Sequence, residues 1–288
     1  MSGTGIVRAG RGGAAVTGSR AAEGSRGSHE FDVRVAHPAR IYDYWLGGKD
    51  NFAADRVAGE QTIAAYPEIR ASARANRAFL ARTVRYLAAE EGIRQFLDIG
   101  TGLPTASNTH QVAQSVAPDS RIVYVDNDPL VLAHARALLT SSPEGVTDYL
   151  DADLRDTDQI LEQAAQTLDF TRPVAVILLA ILHYIPDLEE CRRVMDRLTE
   201  AVPSGSFVVM SHAASDIDAD QMAEMIRRMN EYMGDTTHVG RTRDTVAEFF
   251  AGLDLVEPGV VKVTQWRPES EQAAKGPTSL WGGVARKA

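Results

Sequence analysis

The chain has 288 residues, 44% of them apolar, and a formal net charge of −9. That composition supports one sizeable core, and an acidic surface of this kind argues against nucleic acid as a partner. The single cysteine, Cys191, excludes a disulfide framework and a thiolate-rich zinc site, and no metal is expected.

Residues 1–30 are rich in Gly, Ser and Ala with scattered Arg and have no apolar signal core, so they read as a disordered tail. No run of about 18 apolar residues exists, so no membrane span is expected and the compartment is expected to be the cytoplasm. Residues 31–92 read as a helical N-terminal extension. Its first part, PARIYDYWLGGKDNF at 38–52, combines aromatic residues with a Gly47-Gly48 break. Helical patterning follows at 53–65 and again at 68–91, where Ile69, Ala73, Leu80, Val84 and Leu87 mark one apolar face and Gly92 stops the helix. Arg70, Arg74, Arg77, Arg82 and Arg85 on that helix read as a solvated face.

From residue 93 to 288 strand and helix patterns alternate. Strands are expected near 95–99, 121–125, 146–150, 173–180 and 205–211, with helices near 106–117, 129–140, 157–167 and 187–201 between them. The strands are continuous apolar runs, which predicts an α/β fold with a parallel sheet covered on both faces. Helices near 218–232 and 243–251 follow, and two late strands near 255–264 and 279–286 predict a terminal hairpin.

The chemistry gathers at the strand ends. FLDIGTGLPT (96–105) is a buried strand ending in a Gly-x-Gly turn; Gly100 and Gly102 permit positive φ and let a ligand approach the backbone. The helix after the turn is expected from near Thr105, with its free N–H groups facing the ligand. A dinucleotide fingerprint would need glycine where Thr105 stands, and Asp98 is out of place beside a pyrophosphate. Asp98 suits a ligand carrying cationic groups. Asp126 ends the next strand and is placed to take ribose hydroxyls, since Asp128-Pro129 already supplies the helix cap. In Asp151-Ala152-Asp153, Asp153 with Leu154 is the choice for the adenine amino edge; a metal-binding Asp-x-Asp lacks a completing carboxylate cluster. The fourth strand, read as running into His183-Tyr184, puts His183 at the rim of the site with a titration range suited to a general base. His212 closes the fifth strand in the same way.

These residues resemble the class I S-adenosylmethionine-dependent methyltransferases, and more closely an actinobacterial S-adenosyl methyltransferase family first catalogued as of unknown function. The resemblance rests on ARIYDYWLGGKDNFAAD (39–55), FLDIGTGLPT (96–105), VYVDNDPLVLAHARALL (123–139), DADLRD (151–156) and LLAILHYIPD (178–187). It implies a Rossmann-like, seven-stranded, mostly parallel sheet in order 3-2-1-4-5-7-6 with strand 7 antiparallel, and S-adenosylmethionine as cofactor. Asp98, Gly100 and Gly102 would line its methionine end, Asp126 the ribose and Asn127 the adenine. Ala180 and His183 would border the methyl-transfer site. Tyr42, Tyr44, Trp45 and Asn51, with Tyr184 and His212, are candidates to wall the acceptor pocket, because aromatic faces stabilise a sulfonium. Pro104 stands where the superfamily's third glycine is usual. The expected activity is methyl transfer to a small-molecule acceptor. A non-catalytic S-adenosylmethionine-binding regulator and an NAD(P)-dependent oxidoreductase are the alternatives. The oligomeric state, a homo-oligomer included, is left open by the sequence.

Overall fold

The structure, a computed structural model, describes residues 32–105, 107–138 and 141–288. The tail expected at 1–30 lies outside the described residues. Five parallel strands come first: β1 (Gln95–Ile99), β2 (Arg121–Asp126), β3 (Val146–Asp151), β4 (Ala175–Leu179) and β5 (Phe207–Ala213). The sheet is completed by β6 (Asp254–Leu255), β7 (Val261–Lys262) and β8 (Leu280–Arg286), in order β3-β2-β1-β4-β5-β8-β6 with β7 also on β8. β8 runs antiparallel between β5 and the two short strands. The sixth strand expected over 255–264 is therefore broken in two. Pro258, which has no N–H to donate, and Gly259 at φ +81° interrupt it between the two pieces.

Period-two alternation splits the apolar strand residues between two cores. Phe96, Ile122, Tyr124 and Ile177 pack on one face. Leu97, Ile99, Val123 and Val125 pack on the other. The first face is covered by the N-terminal helices α1 (Pro38–Leu46), α2 (Ala53–Ala65) and α3 (Ile69–Ala89), with α4 (Thr109–Val116). The other carries α6 (Thr157–Ala164) and α7 (Leu188–Ala201); α5 (Pro129–Leu138) connects β2 to β3. α8 (Ala219–Asn230) buries Met222, Met225 and Met229 in the first core beside the extension. α9 (Arg243–Glu248) and the short α10 (Glu271–Ala274) complete the helices among the described residues.

The extension belongs to the same compact unit as the sheet, which runs from Asp32 to Ala288. α1 was legible only as an aromatic cluster, and its ends explain why it forms. The His37 ring accepts a hydrogen bond from the Ala39 N–H, Pro38 occupies the first turn, and Gly47 closes the helix at φ +85°. Two of the arginines expected to be solvated on α3 reach protein instead. Arg82 donates to the carbonyls of Trp266 and Val263, and Arg77 to Ser107 and Asn108.

Candidate cofactor and acceptor site

Parallel register brings the carboxylates together. Ile99 pairs with Val125, so Asp126 projects one residue past the end of β1, opposite Asp151 of β3. Asp98 is buried on the face covered by α3 and α4, where its Oδ2 accepts the Thr109 hydroxyl at 2.6 Å. Burial pushes its carboxyl up to about 6, against a smaller downward pull from that hydroxyl and from Arg77. Asp126 is buried too, and burial raises it despite backbone N–H groups from Asp128 (3.0 Å) and Gly102 (2.8 Å).

The glycine turn is shaped as its sequence implies. Gly100 sits at φ +73°, and a Cβ there would lie 2.6 Å from Cγ1 of Ile181. Gly102 sits at φ +67°, and a Cβ there would meet nothing within 4 Å, so its backbone faces open space. The helix expected from near Thr105 starts later, at Thr109. The loop between is folded by Asn108, whose side chain accepts the Thr105 N–H at 3.1 Å, while Gln111 caps the Asn108 N–H. Pro104 and Ser107 at φ +62° account for the delay.

Beyond β3, Asn127 reaches the Asp153 carboxylate at 3.4 Å, and Asp153 also accepts the Arg155 N–H at 2.8 Å. Leu154 is buried beside them. Asn127, Asp153 and Leu154 therefore sit at the tips of β2 and β3, next to Asp126.

β4 is shorter than expected. It ends at Leu179, and Ala180 turns the chain out at φ +53°, its N–H held by the Ser211 carbonyl (3.0 Å) and hydroxyl (3.1 Å). His183 and Tyr184 lie on a 3₁₀ turn, Leu182–Tyr184, and not on the strand. His183 is buried. Its Nδ1 faces the Ala213 N–H at 3.3 Å, an arrangement that leaves the proton on Nε2. Burial first, and then the crowding of the His238 and His212 imidazoles and the charge of Arg241, hold its imidazole well below the ordinary range.

A cavity of about 40 Å³ opens at this turn. It is walled by Tyr42 and Trp45 of α1, Ala180, His183, Tyr184 and His238, together with α3, α8 and the start of β8. Three of the six sequence-derived pocket candidates, Tyr42, Trp45 and Tyr184, thus meet there, with Ala180 and His183, which were expected to border the transfer site. The other three do not line it. Tyr44 points to the surface, bonding Glu60 and lying under Arg70. Asn51 ties the Gly47-Gly48 turn to the Asp43 carboxylate at 2.8 Å. His212 has both ring nitrogens engaged, Nδ1 at 2.8 Å from the Ala213 carbonyl and Nε2 at 2.8 Å from Arg241. It is a neutral, locked support under the 3₁₀ turn.

Sequence reasoning missed the latch that seats the extension on the strand tips. Asp128 caps α5 through the Leu130 N–H, as expected, but its second oxygen lies 3.0 Å from His37 Nδ1 and 3.3 Å from Arg40 Nε. Arg40 also approaches buried Asp55 at 3.7 Å. Burial pushes Asp128 up, yet the neighbouring His37 ring, the Leu130 N–H and Arg40 bring its carboxyl below the usual range. Arg40 and Asp43 inside an otherwise aromatic helix were the available signal. His238 carried none.

Among the described residues no helix is long and apolar enough to cross a membrane, and no group of three or more His, Cys, Asp or Glu could hold a metal ion.

Comparison with known proteins places this geometry. A crystal structure of a DUF574 family protein from Streptomyces avermitilis is 44% identical, covers 89% of this chain and 99% of its own, and superposes with a TM-score of 0.85. A Thermobifida fusca protein carrying a methyltransferase designation is 39% identical with a TM-score of 0.79, covering 88% of this chain and 96% of its own. A curated relative from Mycobacterium sp. (strain KMS), an S-adenosyl-L-methionine-dependent methyltransferase by name only, is 30% identical over 151 residues, 51% of this chain and 46% of its own. The match thus spans about half the length of that relative. A family model described as S-adenosyl methyltransferase matches residues 24–288. The chain belongs to the S-adenosyl methyltransferase family, whose cofactor is S-adenosylmethionine.

Proposed function

We propose that this protein transfers the methyl group of S-adenosylmethionine to a small-molecule acceptor seated in the cavity beside the 3₁₀ turn, in the cytoplasm. The observation that carries the reading is the meeting of Tyr42, Trp45, Ala180, His183 and Tyr184 around one cavity at the tip of β4. Ile181, the residue after Ala180 of the cavity wall, lies against Gly100 of the cofactor turn.

The residues present fit the cofactor. Asp98 and Asp126 are buried carboxylates held above their ordinary range, so a ligand bringing positive charge relieves the cost of ionising them. The open space over Gly102 admits a backbone-hugging ligand. In this reading Asp98, Gly100 and Gly102 hold the methionine end, Asp126 the ribose hydroxyls, Asn127 flanks the adenine and Asp153 with Leu154 takes its amino edge. When bound, S-adenosylmethionine supplies a methyl carbon already activated by its sulfonium. The protein's own task is then to align the acceptor and exclude water.

His183 borders the transfer site. A buried imidazole whose Nδ1 accepts a backbone N–H is a weak base, and it serves better as a neutral donor through Nε2. Acceptors that need little help losing a proton suit it. That same absence of a strong base favours the second reading, a cofactor-binding regulator without turnover. The test is S-adenosylhomocysteine release from S-adenosylmethionine on incubation with fractionated small-molecule extract. Release that depends on one fraction and falls in Tyr184→Ala supports transfer. Tight cofactor binding with no release from any fraction supports the regulator.

A further inference from the structure

One polar side chain at this cavity lacks what a buried polar group needs. His238 is 4% exposed, and neither of its ring nitrogens has a hydrogen-bond partner. A neutral imidazole offers one N–H and one lone pair, and native interiors rarely leave both unmatched. The position is held from both sides. The His238 N–H donates to Asn230 Oδ1 at 2.8 Å, and Asn230 Nδ2 donates back to the His238 carbonyl at 3.0 Å. The next residue, Val239, donates its N–H to the His183 carbonyl at 2.9 Å. The His238 ring therefore rests 4.3 Å from the His183 ring and 5.4 Å from that of Tyr184.

The other polar groups of the wall are mostly engaged within the protein. The Tyr42 hydroxyl donates to the Ala73 carbonyl and accepts from Asn76. Ser72 and Ser279 bond one another at 2.9 Å, and the Trp45 N–H donates to Thr62. No charged side chain lines the cavity among the described residues. An ionised guest would lose its hydration there without a counter-charge. Aromatic faces and the thioethers of Met222 and Met225 make up much of the rest of the wall, and thioethers adapt to an entering ring.

Resting on the methyltransferase reading above, we propose that His238 is the hydrogen-bonding anchor of the methyl acceptor, and that the acceptor is a neutral, planar aromatic molecule bearing a hydroxyl. The hydroxyl meets the unpartnered imidazole, while the ring enters among Tyr42, Trp45 and Tyr184 by displacing the Met222 and Met225 thioethers, because the cavity of about 40 Å³ is smaller than an aromatic ring. His183 remains the neighbour on the side of the transfer site.

The experiment is titration calorimetry on the full chain loaded with S-adenosylhomocysteine, using phenol, toluene and benzoate as probes. Phenol is expected to bind at least about tenfold more tightly than toluene, and benzoate not to bind. In His238→Phe the preference of phenol over toluene is expected to vanish while toluene binding and S-adenosylhomocysteine affinity stay unchanged. Equal binding of phenol and toluene by the parent, or an unchanged preference in His238→Phe, overturns the proposal. Should that variant not fold, a crystal of the parent soaked with para-bromophenol decides. Bromine anomalous signal in the cavity with the hydroxyl on a His238 nitrogen supports it, and any other pose, or an ordered water kept on that nitrogen, overturns it. Failure of the parent to bind S-adenosylhomocysteine at all would instead sink the underlying methyltransferase reading, so the two failures are distinct.

Discussion

Asp98 at the strand tips and Asp128 at the latch are both buried, and burial raises both carboxyls, yet their neighbours leave them shifted in opposite directions. Asp98 is buried beside a hydroxyl, and its carboxyl rises to about 6. Asp128 is buried beside His37 and Arg40, and its carboxyl falls. A carboxylate already given its cation works as a strut that fixes the extension. One left short of positive charge is poised to receive it from a ligand. The difference predicts that variants of the latch change stability, and that variants of the tips change cofactor affinity.

The largest expected effect lies in the latch. Arg40→Ala leaves Asp55 and Asp128 buried with less positive charge, and removing one partner of such a group costs about 3–5 kcal/mol. Urea unfolding checks this; a loss below about 1 kcal/mol would make the latch an ordinary surface contact. Next is Gly100→Ala, which forces a side chain onto positive φ at about 1–2 kcal/mol and drives its Cβ into Ile181. Because Ile181 touches the cofactor turn and is joined to Ala180 of the cavity wall, this variant is expected to weaken both S-adenosylhomocysteine binding and turnover. Loss of stability alone would separate the two sites.

The smallest effect is in pH, and it sharpens the contrast because the signs oppose. Asp98 has a raised folded value, so its contribution to the stability of the cofactor-free protein is present below the ordinary carboxylate range and lost as pH rises through about 6. Asp128 has a lowered one, so its contribution is present above the ordinary range and lost as pH falls through its folded value. A cationic ligand needs Asp98 ionised. Its affinity is expected to be flat above pH 7 and to fall roughly tenfold by pH 5, measured by calorimetry. Affinity independent of pH across that window would remove Asp98 from the grip.

The two regions also differ in how far the sequence disclosed them. Asp98, Gly100, Gly102 and Asp126 lie within a few residues of strand ends, where apolar runs and glycines announce the turn and parallel register does the rest. The alternation of strands and helices was legible for the same reason, whereas the sheet order came from the family resemblance, and the splitting of the late strand at Pro258-Gly259 was in neither. Long-range pairings leave no local pattern. His37 and Asp128 meet across the extension and the second strand, and Asn230 sets the backbone of His238 across a turn. The early end of β4 was hidden too, since the apolar run continues through Ala180-Ile181-Leu182 while the backbone has already turned. His183 consequently lies on a 3₁₀ turn past the strand instead of at its end.

The central claim is that the tips of β1 and β2 hold one nucleoside-linked amino acid, and Asp126→Ala tests it most directly. Calorimetric titration with S-adenosylhomocysteine on the folded variant is predicted to show a roughly 10- to 100-fold loss of affinity, the scale of losing hydrogen bonds to a charged group. Affinity equal to that of the parent would contradict the account.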